Sequence, residues 1–404
     1  MQQIAPSMTT PGHVPQELVR PFPFPYGVKV KGDPFADMIA RTRDFPDVFF
    51  ANNIGPGGTP AWILRRASDL RSVYLDTEHF TTEDFAPFAK ILGANWNLLP
   101  VEVDPPRHAA YRAIIQPLFT PAAINRLDNQ IRDFARQGIQ AFCDKGECDY
   151  MEDLAYKFPI RVFLGLMGLP QEMTAQFLSW ETALLHNDDM AVLAGAARSL
   201  VEYLSGEIAS RRSQPRDDLI TYLVKADFDG RKLTDDELIG FAFLLFIGGL
   251  DTVSANMGLH AAHLATHPEH QGFLRANPQY IPDAIEELMR VYSPVSTFRT
   301  CIKPTRINGV EVEPGDKVLM CTTLAGRDAK EYPDPHDVRL DRKPRHNAFG
   351  FGVHHCVGLH LARRELRVAI EEFLTSIGEF RIKPGHELEY YTGVLQPVSL
   401  PLTW

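Results

Sequence analysis

Cysteine is scarce in this chain of 404 residues, which has five, at positions 143, 148, 301, 321 and 356. So sparse and odd a set argues against a disulfide framework and for a reducing compartment. Four of them, Cys143, Cys148, Cys301 and Cys321, lack paired metal spacing, and no cluster suits an iron–sulfur centre. Long apolar runs are missing too: the longest, Ile239 to Leu250, has twelve residues against the roughly 20 that cross a bilayer. From Met1 to Tyr26 the chain is polar and punctuated by prolines, with no apolar run suited to a signal peptide or anchor. The expectation is a cytoplasmic protein, without contact to membranes, whose residues 1–30 form an extended segment. Positive charge is not in excess either; a net charge of −10 disfavours nucleic acid as partner. No Gly-x-Gly-x-x-Gly fingerprint occurs between strand and helix, and no repeat or low-complexity tract is present.

What remains is an ordinary globular composition, 45% apolar and 23% charged, with enough material for a core that encloses a cofactor. Helical periodicity dominates from about 105 to 300, with breaks at Pro170, at Gln214-Pro215-Arg216 and at Pro268. Strand signals lie mainly near both ends, and Asn308-Gly309 between Thr305-Arg306-Ile307 and Val310-Glu311-Val312 predicts a tight hairpin. The reading is a mainly α protein with small β-sheets. Residues 327–342, rich in Asp and Pro, read as an ordered meandering loop.

Thr234-Asp235-Asp236-Glu237 has the form of a capping box and opens a long central helix, predicted to run with few interruptions to about Thr266. Gly248 and Gly249 sit in its most apolar part, where each costs about 0.5–1 kcal/mol relative to alanine. Two explanations stand side by side: close packing against another helix, or close approach of a cofactor. Thr252, four residues after Gly248, can direct its hydroxyl to the Gly248 carbonyl and open the helix locally; Asp251 adjoins it.

The segment Phe349-Gly350-Phe351-Gly352-Val353-His354-His355-Cys356-Val357-Gly358 delivers one cysteine to the start of an expected helix, whose dipole favours a thiolate, a soft ligand for iron. With Leu361-Ala362 following, this loop resembles the haem-binding loop of a cytochrome P450. Gly248-Gly249-Leu250-Asp251-Thr252 resembles the oxygen-activation segment of the same family, closest to the bacterial camphor-hydroxylase branch. The resemblance extends from about residue 35 to the end. It implies a single cytochrome P450 domain over residues 1–404, with haem b held between the long central helix and the Cys-loop helix.

Residue by residue, the resemblance implies that Cys356 ligates iron and that Asp251 and Thr252 relay protons. Gly248, Gly249, Phe349 and Gly358 would line the cofactor, and His108, Arg112, Arg299 and His354 would hold its propionates. Glu287 and Arg290, three apart on a helix, match the family's structural Glu-x-x-Arg pair, with Arg342 or Arg339 as third partner. Substrate is expected near the loop of residues 85–103, the helices around 180–195, Leu244 and Ile247, Val295 and Ser296, and Tyr391 to Val394. These mostly apolar positions suggest a compact hydrophobic substrate, such as a monoterpenoid or norisoprenoid. Trp96 stands where the camphor hydroxylases present a tyrosine hydroxyl, so it serves either as a substrate contact or in packing.

Electrons must come from outside, which implies a [2Fe-2S] ferredoxin with an NAD(P)H-dependent ferredoxin reductase. Arg107, Arg112, Lys343, Arg345, Arg363 and Arg364 are candidates for a basic docking face, or else are scattered solubilising charge. The chain is expected to be a monomer. His260, His263 and His267 are set aside as metal ligands, since no Glu neighbour fits a metalloprotease pattern. Two rival functions are a haem-thiolate peroxygenase or isomerase, and a non-catalytic haem- or ligand-binding protein.

Overall fold

The computed structural model describes residues 10–24, 27–55, 58–83, 86–187 and 189–404. The first nine residues of the expected N-terminal segment, and residue 85 of the expected substrate loop, lie outside the described residues. The chain forms two compact units, one built from 1–82, 282–356 and 385–398, the other from 83–281, 357–384 and 399–404.

The first unit holds most of the strands. A five-stranded sheet runs in the order Val48–Ala51, Ala61–Leu64, Lys317–Met320, Thr297–Cys301, Phe80–Thr81. Lys317–Met320 pairs parallel to Ala61–Leu64, with Val318 opposite Trp62, and antiparallel to Thr297–Cys301, with Val318 opposite Arg299. Its inner strands are rich in β-branched and aromatic residues, and Phe50, Trp62, Leu64, Val318 and Met320 pack into one core cluster. The predicted hairpin forms, Thr305–Ile307 against Val310–Val312, and Asn308 and Gly309 take φ of 48° and 81° as a two-residue turn of this hand requires. A third strand group joins Lys29–Lys31, Glu389–Tyr391 and Gln396–Pro397. Residues 327–342 contain no helix or strand, as expected of the meander.

The second unit is mainly helical. Its core gathers Phe163, Phe177, Trp180, Leu200, Phe241, Phe243 and Phe246. Two small strand groups, missed by periodicity, lie here: Glu147–Asp149 with Pro401–Thr403 and Arg381–Ile382, and the hairpin Asp227–Phe228 with Arg231–Lys232. Each strand is two or three residues long, too short for an alternating pattern to register.

The capping box at Thr234 is formed: its hydroxyl accepts from the Glu237 N–H while the Glu237 carboxylate accepts from the Thr234 N–H. The central helix that follows, expected to run with few interruptions, is divided into two helices at Leu250, beside the opening expected at Thr252. Asp235–Gly249 ends at Leu250, with φ −98° and ψ −70°, and Asp251–Thr266 begins at once. Over 235–266 this segment is long and apolar enough to cross a membrane, but 67% of its most apolar stretch is buried inside the protein. It is a core element.

Candidate active site

The break in the central helix has a visible cause. The Thr252 hydroxyl donates to the Gly248 carbonyl at 2.9 Å, four residues back, so a side chain takes up an acceptor of the helix ladder. Gly248 and Gly249 are exposed, between half-buried Ile247 and buried Leu250. A methyl group at Gly249 would meet nothing within 4 Å, and one at Gly248 only the Leu244 side chain at 3.9 Å. Close packing therefore does not explain this pair. It does explain Gly240, one of the glycines the sequence reading passed over, where a methyl would sit 2.1 Å from the Asn97 carbonyl oxygen. The glycine pair leaves a bare strip of backbone on an otherwise apolar helix, flanked by half-buried Leu244 and Ile247.

Asp251 is 2% exposed. Its Oδ1 lies 2.8 Å from His186 Nε2, at the end of the Thr174–Leu185 helix. Glu181, on that same helix and 3% exposed, is pushed well above the usual carboxylate range by burial and by the charge of Asp251. Neither residue was among the sequence candidates, because a contact 65 positions apart leaves no periodic trace.

In the first unit the cysteine loop is shaped by its glycines. Gly350 and Gly352 have φ of 67° and 72°, and a methyl at Gly352 would lie 2.6 Å from the Tyr74 carbonyl oxygen. Only glycine fits there. The Cys356 N–H donates to the Phe349 carbonyl at 3.0 Å, and the Cys356 side chain is half-buried. Phe349 leans on His346, with ring centroids 5.9 Å apart. His354 Nε2 is 3.3 Å from Thr82 Oγ1. Arg299, 7% exposed, lies 5.2 Å over the Tyr74 ring, and the Tyr74 hydroxyl is 3.0 Å from Thr297 Oγ1. Along the chain, Gly358 precedes the Leu359–Ser376 helix, so the cysteine stands three residues before its first turn.

His108 and Arg112 share one face of the Arg107–Ile115 helix in the second unit. Burial, then the neighbouring Arg112 charge, lowers the affinity of His108 for a proton. Of the six basic residues proposed for docking, Arg364 is paired with Asp128 and Lys343 with Asp283 at 3.4 Å. Arg107 reaches the Tyr111 hydroxyl at 3.2 Å. Arg345 lies 5.2 Å over the Phe351 ring.

Glu287 and Arg290 are fully buried and joined by two hydrogen bonds of 2.7 Å. Arg342 Nε lies 3.0 Å from Glu287 Oε1, while Arg339 contributes only its backbone N–H, also at 3.0 Å. Arg290 spends its remaining N–H groups on the carbonyls of Gly326, Pro335 and Asp337.

Among the expected substrate contacts, Trp96 is 5% exposed, with its ring 5.0 Å from Phe243, which is a packing position. Val295 and Tyr391 are half-buried in the first unit, the Tyr391 ring carrying the Lys29 ammonium 4.9 Å above it. The 86–103 loop is clasped by a residue the sequence did not reveal: buried Glu102 accepts from the N–H groups of Ala86 and Leu98, both at 2.7 Å. His263 stacks on His267 at 4.0 Å and its Nε2 lies 2.8 Å from His270 Nδ1.

The donor set suits a haem-thiolate cofactor. One soft sulfur is presented by a glycine-shaped loop, with an arginine and a histidine on its unit; the bare Gly248–Gly249 strip is backbone on which a flat ring can lie. Comparison with known proteins agrees. Residues 172–389 match the family model "Cytochrome P450". The chain is 38% identical to probable cytochrome P450 127A1 of Sinorhizobium fredii, covering 98% of this chain and 96% of that one. It is 33% identical to the cytochrome P450 monooxygenase PikC of Streptomyces venezuelae, over 86% of each. The crystal structure of cytochrome P450 CYP101C1 superposes with a TM-score of 0.88 at 30% identity, covering 98% of this chain and all of that one. A likeness carried through nearly the full length, in sequence and in fold, makes this chain a bacterial member of the cytochrome P450 family, a haem-thiolate monooxygenase.

Proposed function

We propose that the chain hydroxylates a compact hydrophobic molecule of the monoterpenoid or norisoprenoid class, with O2 and two electrons delivered by a [2Fe-2S] ferredoxin. The observation that carries the reading is the Thr252 to Gly248 hydrogen bond beside the exposed glycine pair. It holds a hydroxyl at the one break in the central helix, next to a buried acid. Haem with a thiolate ligand supplies the activation of dioxygen. Cys356 provides that ligand, and His108, Arg112, Arg299 and His354 hold the propionates. Thr252 Oγ1 holds a proton where the helix is open, and Asp251 resupplies it. Gly248, Gly249, Phe349 and Gly358 give the cofactor room.

Leu244, Ile247 and Val295, half-buried and apolar, support a hydrophobic substrate; Tyr391 offers a ring edge. Trp96 acts through packing. In this reading the two units work as one cytochrome P450 domain, a cytoplasmic monomer, and the basic side chains that remain exposed receive the acidic ferredoxin.

Two measurements test it. The reduced protein under carbon monoxide should give the strongly red-shifted Soret band of a thiolate ligand, lost in Cys356→Ser. Thr252→Ala, supplied with electrons and with a compound found by spectral screening of terpenoids, should consume NADH while yielding far less product per electron. Unaltered coupling in Thr252→Ala would favour the peroxygenase or isomerase alternative.

A further inference from the structure

A cavity in the second unit shares no lining residue with those named above for haem or substrate. It measures about 180 Å³ and is walled by the Asp128–Gln140 helix, the Lys157–Met167 helix and the turn before the latter, Met151–Ala155. That turn is π-helical, a rare form frequent at functional sites. Half-buried Phe134 and buried Phe158 supply aromatic wall. An engineered apolar cavity of about 150 Å³ holds benzene, so this one has room for a ring and apolar surface to receive it.

The charge of the lining is unbalanced. Arg161 is half-buried, its guanidinium 4.6 Å over the Phe134 ring. Its acceptors are all neutral: the side-chain oxygens of Gln137 and Gln171 at 2.7 and 3.4 Å, and the Phe134 carbonyl at 3.5 Å. One N–H on each terminal nitrogen is left over. Burial lowers the affinity of Arg161 for its proton, and no carboxylate among the described residues offsets it. Lys145 and Lys157, both exposed, also line the cavity, and neither has an ion-pair partner among the described residues. The acid in the lining, Asp153, accepts the Asp149 N–H at 3.0 Å and makes no ion pair with Lys157, four residues on. Asp149 is itself engaged by the N–H groups of Met151 and Leu400, and Glu147 by Lys383. Three cations thus face one acid.

We propose that this cavity is a second ligand site, for a small aromatic carboxylate: the carboxylate takes the remaining N–H groups of Arg161, and the ring lies against Phe134 and Phe158. A planar fork of donors suits a carboxylate, and an aromatic body gains from aromatic walls. Lys145 and Lys157 add positive potential that draws the anion in. A single negative charge fits best. Phosphate would leave the walls uncovered and set a second charge against Asp153. Bound there, the ligand joins the Asp128–Gln140 helix to Lys157–Met167 through the one half-buried cation that lacks a counter-ion in this wall.

The test uses the haem-loaded protein with 4-phenylimidazole added to occupy the haem side, and follows 4-fluorobenzoate by 19F NMR. Saturable binding that persists under the azole is expected. The uncharged isostere 4-fluorobenzamide should bind about tenfold or more weakly, and Arg161→Gln should weaken the acid by as much. Lys157→Glu reverses an exposed charge that has no ion pair to lose, so it keeps the fold, as an unchanged Soret band would show; it should weaken the acid by about threefold and leave the amide unaffected. That variant decides the matter if Arg161→Gln does not fold. Absence of saturable binding, its loss when the azole is added, equal affinities for acid and amide, or an unaltered affinity in Lys157→Glu each overturn the proposal. Displacement by inorganic phosphate as readily as by benzoate overturns the aromatic class.

Discussion

Glu287 and Glu181 are both buried glutamates on helices, yet their surroundings differ completely. Glu287 meets two guanidinium groups and a backbone N–H within 3.0 Å, and Arg290 spends its other protons on carbonyls. Charge there is matched and fixed. Glu181 meets no donor among the described residues and faces another carboxyl group. The first arrangement locks a fold; the second holds its proton on a buried acid, at the cost of an unpaired polar group.

Breaking the first cluster should do the most damage. Arg290→Ala strands the Glu287 charge in the interior and should cost about 3–5 kcal/mol, read as a lowered urea midpoint and a smaller haem-loaded fraction at expression. A loss under about 1 kcal/mol would mean that Arg342 alone suffices.

Glu181→Gln should move stability the other way. The folded protein holds the Glu181 proton to higher pH than the unfolded chain does, so its contribution is complete below the ordinary value of 4.5 and declines as pH rises above it. Over that window the wild type should lose about 1.4 kcal/mol per pH unit relative to the variant. Denaturant midpoints at pH 4.5 and 6.5 check this; parallel curves would show that Glu181 is charged in the folded state.

Glu237 extends the comparison to a half-buried acid. Hydrogen bonds from Arg231, offset in part by burial and reinforced by Thr234 and Tyr111, bring it down to about 2. Its contribution is present above 4.5 and disappears as pH falls towards 2, the reverse of Glu181. Because Arg231 is exposed and screened by solvent, Glu237→Gln should cost only about 1 kcal/mol at pH 7, and the difference should vanish in acid unfolding near pH 2. The smallest effect belongs to Arg306, paired with Glu311 while both are about two-thirds exposed. Arg306→Ala should change stability by less than about 0.5 kcal/mol.

The features readable in the sequence were those whose cause is local. The capping box and the Thr252 hydrogen bond join residues no more than four apart, and the Asn-Gly hairpin pairs residues no more than seven apart, so residue type and spacing suffice to state them. Arg342 could be named as third partner of Glu287 only through the family resemblance, and the structure separates it from Arg339 by side-chain against backbone contact. The division of the central helix at Leu250 was half legible: Thr252 announced a local opening, while the full break needs the exposed glycine pair. What could not be read are the contacts that tertiary folding makes between distant polar groups. Glu102 clasping the 86–103 loop looks in sequence like any surface acid. Glu181 falls in the helices around 180–195 expected near substrate, where nothing in residue type or spacing marks this acid as buried beside Asp251. Trp96 was readable as an aromatic, and its burial against Phe243 was not.

The register of the five-stranded sheet carries a further consequence. Thr297 and Arg299 both reach Tyr74 because they are two apart on a strand, and Arg299 lies opposite Val318. Strand neighbours alternate faces, so adding or deleting one residue ahead of Thr297 and sliding the strand by one would turn Arg299 over and bring Phe298 or Thr300 to its place. The turn at Pro314-Gly315 is itself tied to this strand, the Gly315 N–H donating to the Cys301 carbonyl at 2.9 Å, so the alignment is pinned at that end as well. The reach of Arg299 is therefore set by the count of residues within two paired strands as much as by its own side chain.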